Sequence, residues 1–275
     1  MSEVLIESVA TLLARRQVEG SCAFFEVGED WGQGRTLFGG LLSALAVQAM
    51  RDVCGADWPL RALQTSFVGP VAPGRFEIEV HLLRQGKNVR QVQAHIRQGH
   101  AGGAGAVAGV LLAVFGTGRD STLSTLMPAL VAPAQTADAC MAMPFIPGLT
   151  PAFTQHLEFR QAEGAYPFTG ASTWSTRIYT RLRAPQGVDS ELMSVMLADA
   201  GPTPALAQLK APAPASSVSW ALELRPVSIA DEGAAWLMDK DALAVAEGYV
   251  NERTTLWTPD GQLAALGYQV VAVYG

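Results

Sequence analysis

Residues 106–116 read AVAGVLLAVFG, and residues 265–275 read ALGYQVVAVYG. Each is an apolar run rich in β-branched residues and closed by glycine, the pattern of a buried strand. The matching ends, AVFG and AVYG, suggest that one strand occurs twice. Working outward, two more anchors repeat in the same order. LLSALAVQAM (41–50) matches LMSVMLADAG (192–201), and FVGPV matches LELRPV at Pro70 and Pro226. The offsets are 151, 156 and 159 residues, the slow rise that a few loop insertions produce. A duplicated unit of helix plus antiparallel sheet is the economical reading.

The elements between the anchors agree with it. GRTLFGGLLSALAVQAMRDV begins at a glycine pair and sets Leu41, Ala44 and Leu45 at helical spacing, predicting a long helix. RALQTSFVGPVAPGRFEIEVHLLRQGKNVRQVQAHIRQ alternates at period two and is broken by Pro70, Pro73–Gly74 and Gln85–Gly86, predicting antiparallel strands. Residues 117–150 carry no clean period and read as a linker. Beyond it come strands around 155–183, a helix in DSELMSVMLADAG, and strands in SSVSWALELRPV, AAWLMDKDALAVAEGYVNERTTLWT and the closing run. The expected units are 1–116 and 151–275, flanking that linker.

Composition narrows the function. Hydrophobic residues make up 49% of the 275 and charged residues 16%, enough apolar surface for a large core. The net charge of −6 argues against nucleic acid and against an anionic membrane surface as partner. Cys22, Cys54 and Cys140 are odd in number and lack close pairing, which favours reduced thiols. The first residues place acids before the apolar run and basic residues after it, the reverse of a signal peptide. No apolar run approaches the length of a membrane span. A cytoplasmic protein is expected.

Duplication makes departures between the copies informative. Leu192, Val195, Met196 and Asp199 share one helix face at i, i+3, i+4 and i+7. Asp199 therefore lies on the core stripe, in a last turn before Gly201–Pro202 where the helix dipole disfavours an anion. Its counterpart in the first copy is Gln48. A carboxylate so placed should hold its proton more tightly, which suits a general base. Gln269 is the second departure, an amide opposite Val110 in the aligned strands. A buried amide without partners costs about 1–3 kcal/mol, so partners are expected. Ser217, in SSVS at a strand entrance, is a third candidate. Each of the three could equally be a satisfied structural residue.

At this point the residues resemble a known family. LFGGLLSALAVQA followed by LQTSFVGPVAPGRFEIEVHLLRQGKNVRQVQAHIRQ is similar to the start of the TesB-like (type II) acyl-CoA thioesterases, and the lead-in LLARRQVEG…GEDWGQGRTLFGG fits as well. LADAG, SSVSWALELRP and DGQLAALGYQ fall where that family carries its Asp, Ser/Thr and Gln. The resemblance covers almost the whole chain, weakest over 117–150. It implies an α+β fold, a double hot dog in which each tandem unit is a long helix wrapped by a curved antiparallel sheet. It also implies hydrolysis of acyl-CoA through Asp199, Ser217 and Gln269, without metal or cofactor, in a protein that associates into homo-oligomers. Leu41, Gln64 and Ser219 depart from the family, which often has Gln, His and Asp there.

In this reading Asp199 deprotonates a water held by Ser217 and Gln269. The helix start at Gly39–Gly40 could polarise the carbonyl. Lys87, Arg84 and Arg90 on the RQGKNVRQ hairpin could meet CoA phosphates, or form an ordinary solvated hairpin. GGAGAVAG (102–109) lacks the lysine of a phosphate loop and reads as a hairpin turn. No GxSxG elbow is present. His81, His95, His100 and His156 lack metal-ligand spacing and read as surface or structural residues. Hot-dog hydratases pair an Asp with a His five residues on, and Pro204 stands at that place. The rival is a non-catalytic acyl-CoA or lipid-binding module.

Overall fold

The computed structural model describes residues 7–55, 57–99 and 105–275. His100 and the first three residues of GGAGAVAG lie outside the described residues. In the first half the elements are α1 (Val9–Arg15), β1 (Gln17–Glu19), β2 (Cys22–Val27), β3 (Gly32–Gln33), β4 (Thr36–Leu37), α2 (Gly39–Cys54), β5 (Leu60–Phe67), β6 (Gly74–Gln85), β7 (Val89–Gln98) and β8 (Ala106–Gly116). In the second they are β9 (Ala142–Met143), β10 (Leu157–Glu163), β11 (Ser175–Leu182), α3 (Ser190–Ala198), β12 (Ala215–Leu224), β13 (Trp236–Ala246), β14 (Tyr249–Trp257) and β15 (Leu263–Val273).

Thirteen of these strands form one antiparallel sheet in the order β1-β2-β6-β7-β8-β5-β12-β15-β14-β13-β11-β10-β9. The halves meet at β5 and β12, where Ser66 faces Ser219 and Thr65 faces Trp220. Outward from that seam the order mirrors itself: β5, β8, β7, β6 on one side and β12, β15, β14, β13 on the other. The repeat read in the sequence is therefore present as a repeat of strand order. The closing strands β8 and β15 hold equivalent places, each next to its half's seam strand.

The fine register of the sequence match is off by one. Leu111 and Ala113 are buried in β8, while Gln269 and Val271 are buried in β15. Aligning AVFG with AVYG pairs Gln269 with Val110, which sits on the less buried parity of β8. A shift of one residue turns a strand's side chains to the other face. The inward positions flanking Val110 are Gly109 and Leu111, both without a polar side chain, so the amide is as foreign to its place as before.

The helices lie antiparallel to each other. At one end the Arg51 guanidinium, in the last turn of α2, pairs with Glu191 in the first turn of α3. Glu191 also accepts the Leu60 amide at 2.7 Å. At the other end the start of α2 meets the end of α3. A Cβ on Gly40 would come within 2.7 Å of the Met196 carbonyl, so glycine permits this approach of helix to helix. The helices are unequal, sixteen residues in α2 and nine in α3, so the second is shorter than expected. Asp189 caps α3 by accepting the Glu191 and Leu192 amides.

One continuous apolar core joins the two halves, from Val9 of α1 to Ala265 of β15. A polar staple adds to it: His156 Nε2 lies 2.9 Å from Asp30 Oδ2, both buried, and the His156 ring stacks on Trp31 at 3.7 Å. Among the described residues no helix is long and apolar enough to cross a membrane.

Candidate active site

Asp199 occupies the C-cap of α3, with φ −99° and ψ −8°. The antiparallel helix pair brings this carboxylate to the start of α2, where a Cβ on Gly39 would lie 2.9 Å from Asp199 Oδ2. The negative end of α3 and the positive end of α2 thus converge on one group, and the Gly40 backbone amide hydrogen-bonds it. Burial is the dominant influence and pushes the Asp199 carboxyl up from 3.8 to about 6; Lys240, the Gln269 amide and the Gly40 amide act against it, and Glu252 adds to it.

Gln269 supplies the link. On the inner face of β15 and 5% exposed, it donates one Nε2 hydrogen to Asp199 Oδ1 at 2.8 Å and the other to Ser217 Oγ at 2.6 Å. Both amide protons are then used, while the hydroxyl proton of Ser217 is left to donate elsewhere. Ser217 reaches this face because of a β-bulge. The ladder between β12 and β15 pairs Ser217 with Val271 but Ser219 with Val270, leaving Val218 as the extra residue. The bulge puts Ser217 and Trp220 on one face, although three residues apart they would face opposite sides of a regular strand.

The inner face holds two charged groups that periodicity alone did not single out. Glu252 of β14 stands directly across from Gln269. Its Oε1 is 2.7 Å from Lys240 Nζ, with both side chains at most 2% exposed. Lys240 also donates to the Gly201 carbonyl at 3.0 Å, two residues beyond Asp199. The signal existed: Lys240 shares its parity with buried Met238, and Glu252 with buried Val250 and Thr254.

Other candidates are placed differently. Arg90 donates to the Cys54 carbonyl at 2.7 Å and stacks over Trp58 at 4.2 Å, so it closes the C-terminal end of α2, the end away from Gly39. Lys87 is exposed at the tip of the same hairpin. Gln64 points outward and lines, with Ser66, Ser219 and Tyr268, a surface depression of about 400 Å³. Leu41 is fully buried in α2. His81 and His95 come together with Glu79, their ligand atoms within 4.8 Å of one another. Glu79 there is already paired with Arg97 at 3.1 Å and with His81 at 3.3 Å.

Residues 27–116 match the family model of the acyl-CoA thioesterase N-terminal domain, and residues 137–273 that of the C-terminal domain. No curated protein sequence matches the chain. Among solved structures, a conserved hot dog fold protein from Alicyclobacillus acidocaldarius superposes with a TM-score of 0.81 at 19% identity, covering 98% of this chain and 99% of the other. The tesB protein of Mycobacterium avium subsp. paratuberculosis gives 0.76 at 14% identity, covering 97% and 98%. The acyl-CoA thioesterase II TesB2 of Mycobacterium marinum gives 0.69 at 17%, again covering 97% and 98%. At these identities the likeness establishes a shared hot dog fold.

Proposed function

Since the chain belongs to the acyl-CoA thioesterase family, we propose that it hydrolyses acyl-CoA to free acid and CoA with a water activated by Asp199. The observation that carries this reading is the Gln269 amide bridging Asp199 and Ser217 at 2.8 and 2.6 Å. With both Nε2 protons engaged, Gln269 Oε1 remains as an acceptor. A water giving one proton to Asp199 and directing the other to Gln269 Oε1 turns a lone pair toward the thioester carbon. Asp199 takes up the transferred proton as the C–O bond forms; the C–S bond breaks as the tetrahedral oxyanion collapses, and the expelled CoA thiolate recovers that proton from Asp199, leaving the base ionised again. A carboxyl held near 6 suits this role at neutral pH, being ionised yet more basic than an ordinary aspartate.

The Gly40 amide is engaged by Asp199. The neighbouring amides of the first turn of α2 have no helical acceptor and supply the positive end of a dipole for the developing oxyanion. We read the fold as a double hot dog, supported by the mirrored strand order and by the pairing of α2 from the first half with α3 from the second. CoA phosphates, at the far end of a long pantetheine arm, fall to exposed Lys87 rather than to Arg90, whose guanidinium is committed to the end of α2.

The test is thiol release by the wild-type protein from short, long and aromatic acyl-CoAs. Release above the uncatalysed rate supports the reading, and the preferred acyl group names the substrate class. A melting temperature raised by acyl-CoA with no thiol released anywhere in the panel overturns it in favour of a binding module.

A further inference from the structure

Lys240 and Glu252 are a fully buried ion pair that the proposed chemistry leaves unused. Such a pair is seldom worth much as a stabiliser, because desolvating two ions offsets most of their attraction. Its position is more telling than its energy. Lys240 Nζ touches two things: Glu252 Oε1 at 2.7 Å and the Gly201 carbonyl at 3.0 Å. The Gly201 carbonyl belongs to the turn that closes α3 immediately after Asp199. A lysine at the C-terminal end of a helix both satisfies a carbonyl and complements the dipole. Glu252 lies across the ladder from Gln269, so the partner that holds Lys240 is the neighbour of the residue that holds Asp199.

From this geometry we propose that Lys240, locked by Glu252, is a positioning residue of the hydrolytic site: it fixes the turn that carries Asp199 and sets a buried positive charge toward that carboxylate. This rests on Asp199 being the general base. The ionisable groups acting on Asp199 are Lys240 of β13, which favours its charged form, and Glu252 of β14, which opposes it. Gln269 of β15 and the Gly40 amide of α2 contribute neutral donors.

Opposite signs make the inference testable. Removing the lysine charge in Lys240→Met should move the acid limb of the kcat/KM profile upward by about one unit or more. Glu252→Gln keeps Lys240 and removes its counter-charge, so the limb should move downward. Lys240→Arg should keep the limb close to wild type. Lys240→Met strands a buried carboxylate; if it fails to fold, the Lys240→Met/Glu252→Gln double variant takes its place, with the limb still displaced upward. A purely structural pair would lower the melting temperature of these variants but leave the limb where it is, and that result overturns the inference. Asp199→Asn run alongside separates the two ideas. If it is inactive while the limb of the folded variants stays fixed, the inference about Lys240 alone is wrong. If it turns over as fast as wild type, the base assignment falls and this inference with it.

Discussion

Replacing Gln269 with Leu removes the amide while filling much the same volume. Two hydrogen bonds are lost, one of them to the Asp199 carboxylate at 2.8 Å. A hydrogen bond to a charged group is worth about 1.5–3 kcal/mol, and one pKa unit corresponds to about 1.4 kcal/mol. The Asp199 carboxyl, pushed up to about 6 in the intact site, should therefore rise by about one to two further units in the variant. At pH 7 its ionised fraction falls from about nine-tenths to between about one-half and one-tenth. That effect vanishes at pH 9, where the carboxylate is charged in both proteins. A second, pH-independent loss comes from the water that Gln269 no longer orients. The assay is the decay of thioester absorbance from pH 5 to pH 9, corrected for the blank. The expected profile has its acid limb displaced upward, and a loss in kcat/KM about two- to tenfold larger at pH 7 than at pH 9. An unmoved limb, or the same loss at both pH values, would refute the reasoning.

Three further outcomes follow from the same geometry. Asp199 carries a folded-state value of about 6 against an ordinary 3.8, so its contribution to stability is full below about pH 4 and is lost as pH rises through 6. Asp199→Asn removes a cost of about 2–3 kcal/mol above that range, so thermal melts should show a gain of several degrees at pH 8 and none at pH 4. Gly40→Ala sets a Cβ 2.7 Å from the Met196 carbonyl and should cost about 1–3 kcal/mol in urea unfolding, whereas Gly39→Ala presses on Asp199 Oδ2 and should lower kcat more than stability. Ser217→Ala, at a partly exposed site, should leave the melt within about 1 kcal/mol of wild type and reduce kcat/KM about tenfold or more in the thiol assay.

Much of this architecture was legible because periodicity and repetition are one-dimensional signals. The glycine pair marked the start of α2, the alternation of residues 75–98 marked β6 and β7, and the echo of AVFG in AVYG marked the two closing strands. Asp199 and Gln269 were visible as polar residues at apolar places, and the structure joins them through one amide. What stayed hidden depends on three dimensions. The bulge at Val218 that turns Ser217 inward leaves no mark in composition. The antiparallel meeting of α2 and α3, which brings Gly39 to Asp199, joins residues far apart in the chain, as the ion pair between Arg51 and Glu191 at its other end does. The equation of Gln269 with Val110 slipped by one residue, because both parities of β8 and β15 are apolar and side-chain type alone does not show which faces inward. Arg90 looked like a phosphate ligand by charge, yet its contacts with Cys54 and Trp58 assign it to the end of a helix.

The central claim is that Asp199 activates the hydrolytic water, and the direct measurement is steady-state acyl-CoA hydrolysis by Asp199→Asn beside wild type at pH 8, on the best substrate of the panel. The account predicts a folded variant, at least as thermostable as wild type, with kcat lowered by about a hundredfold or more. A folded Asp199→Asn variant that retains wild-type kcat would contradict it.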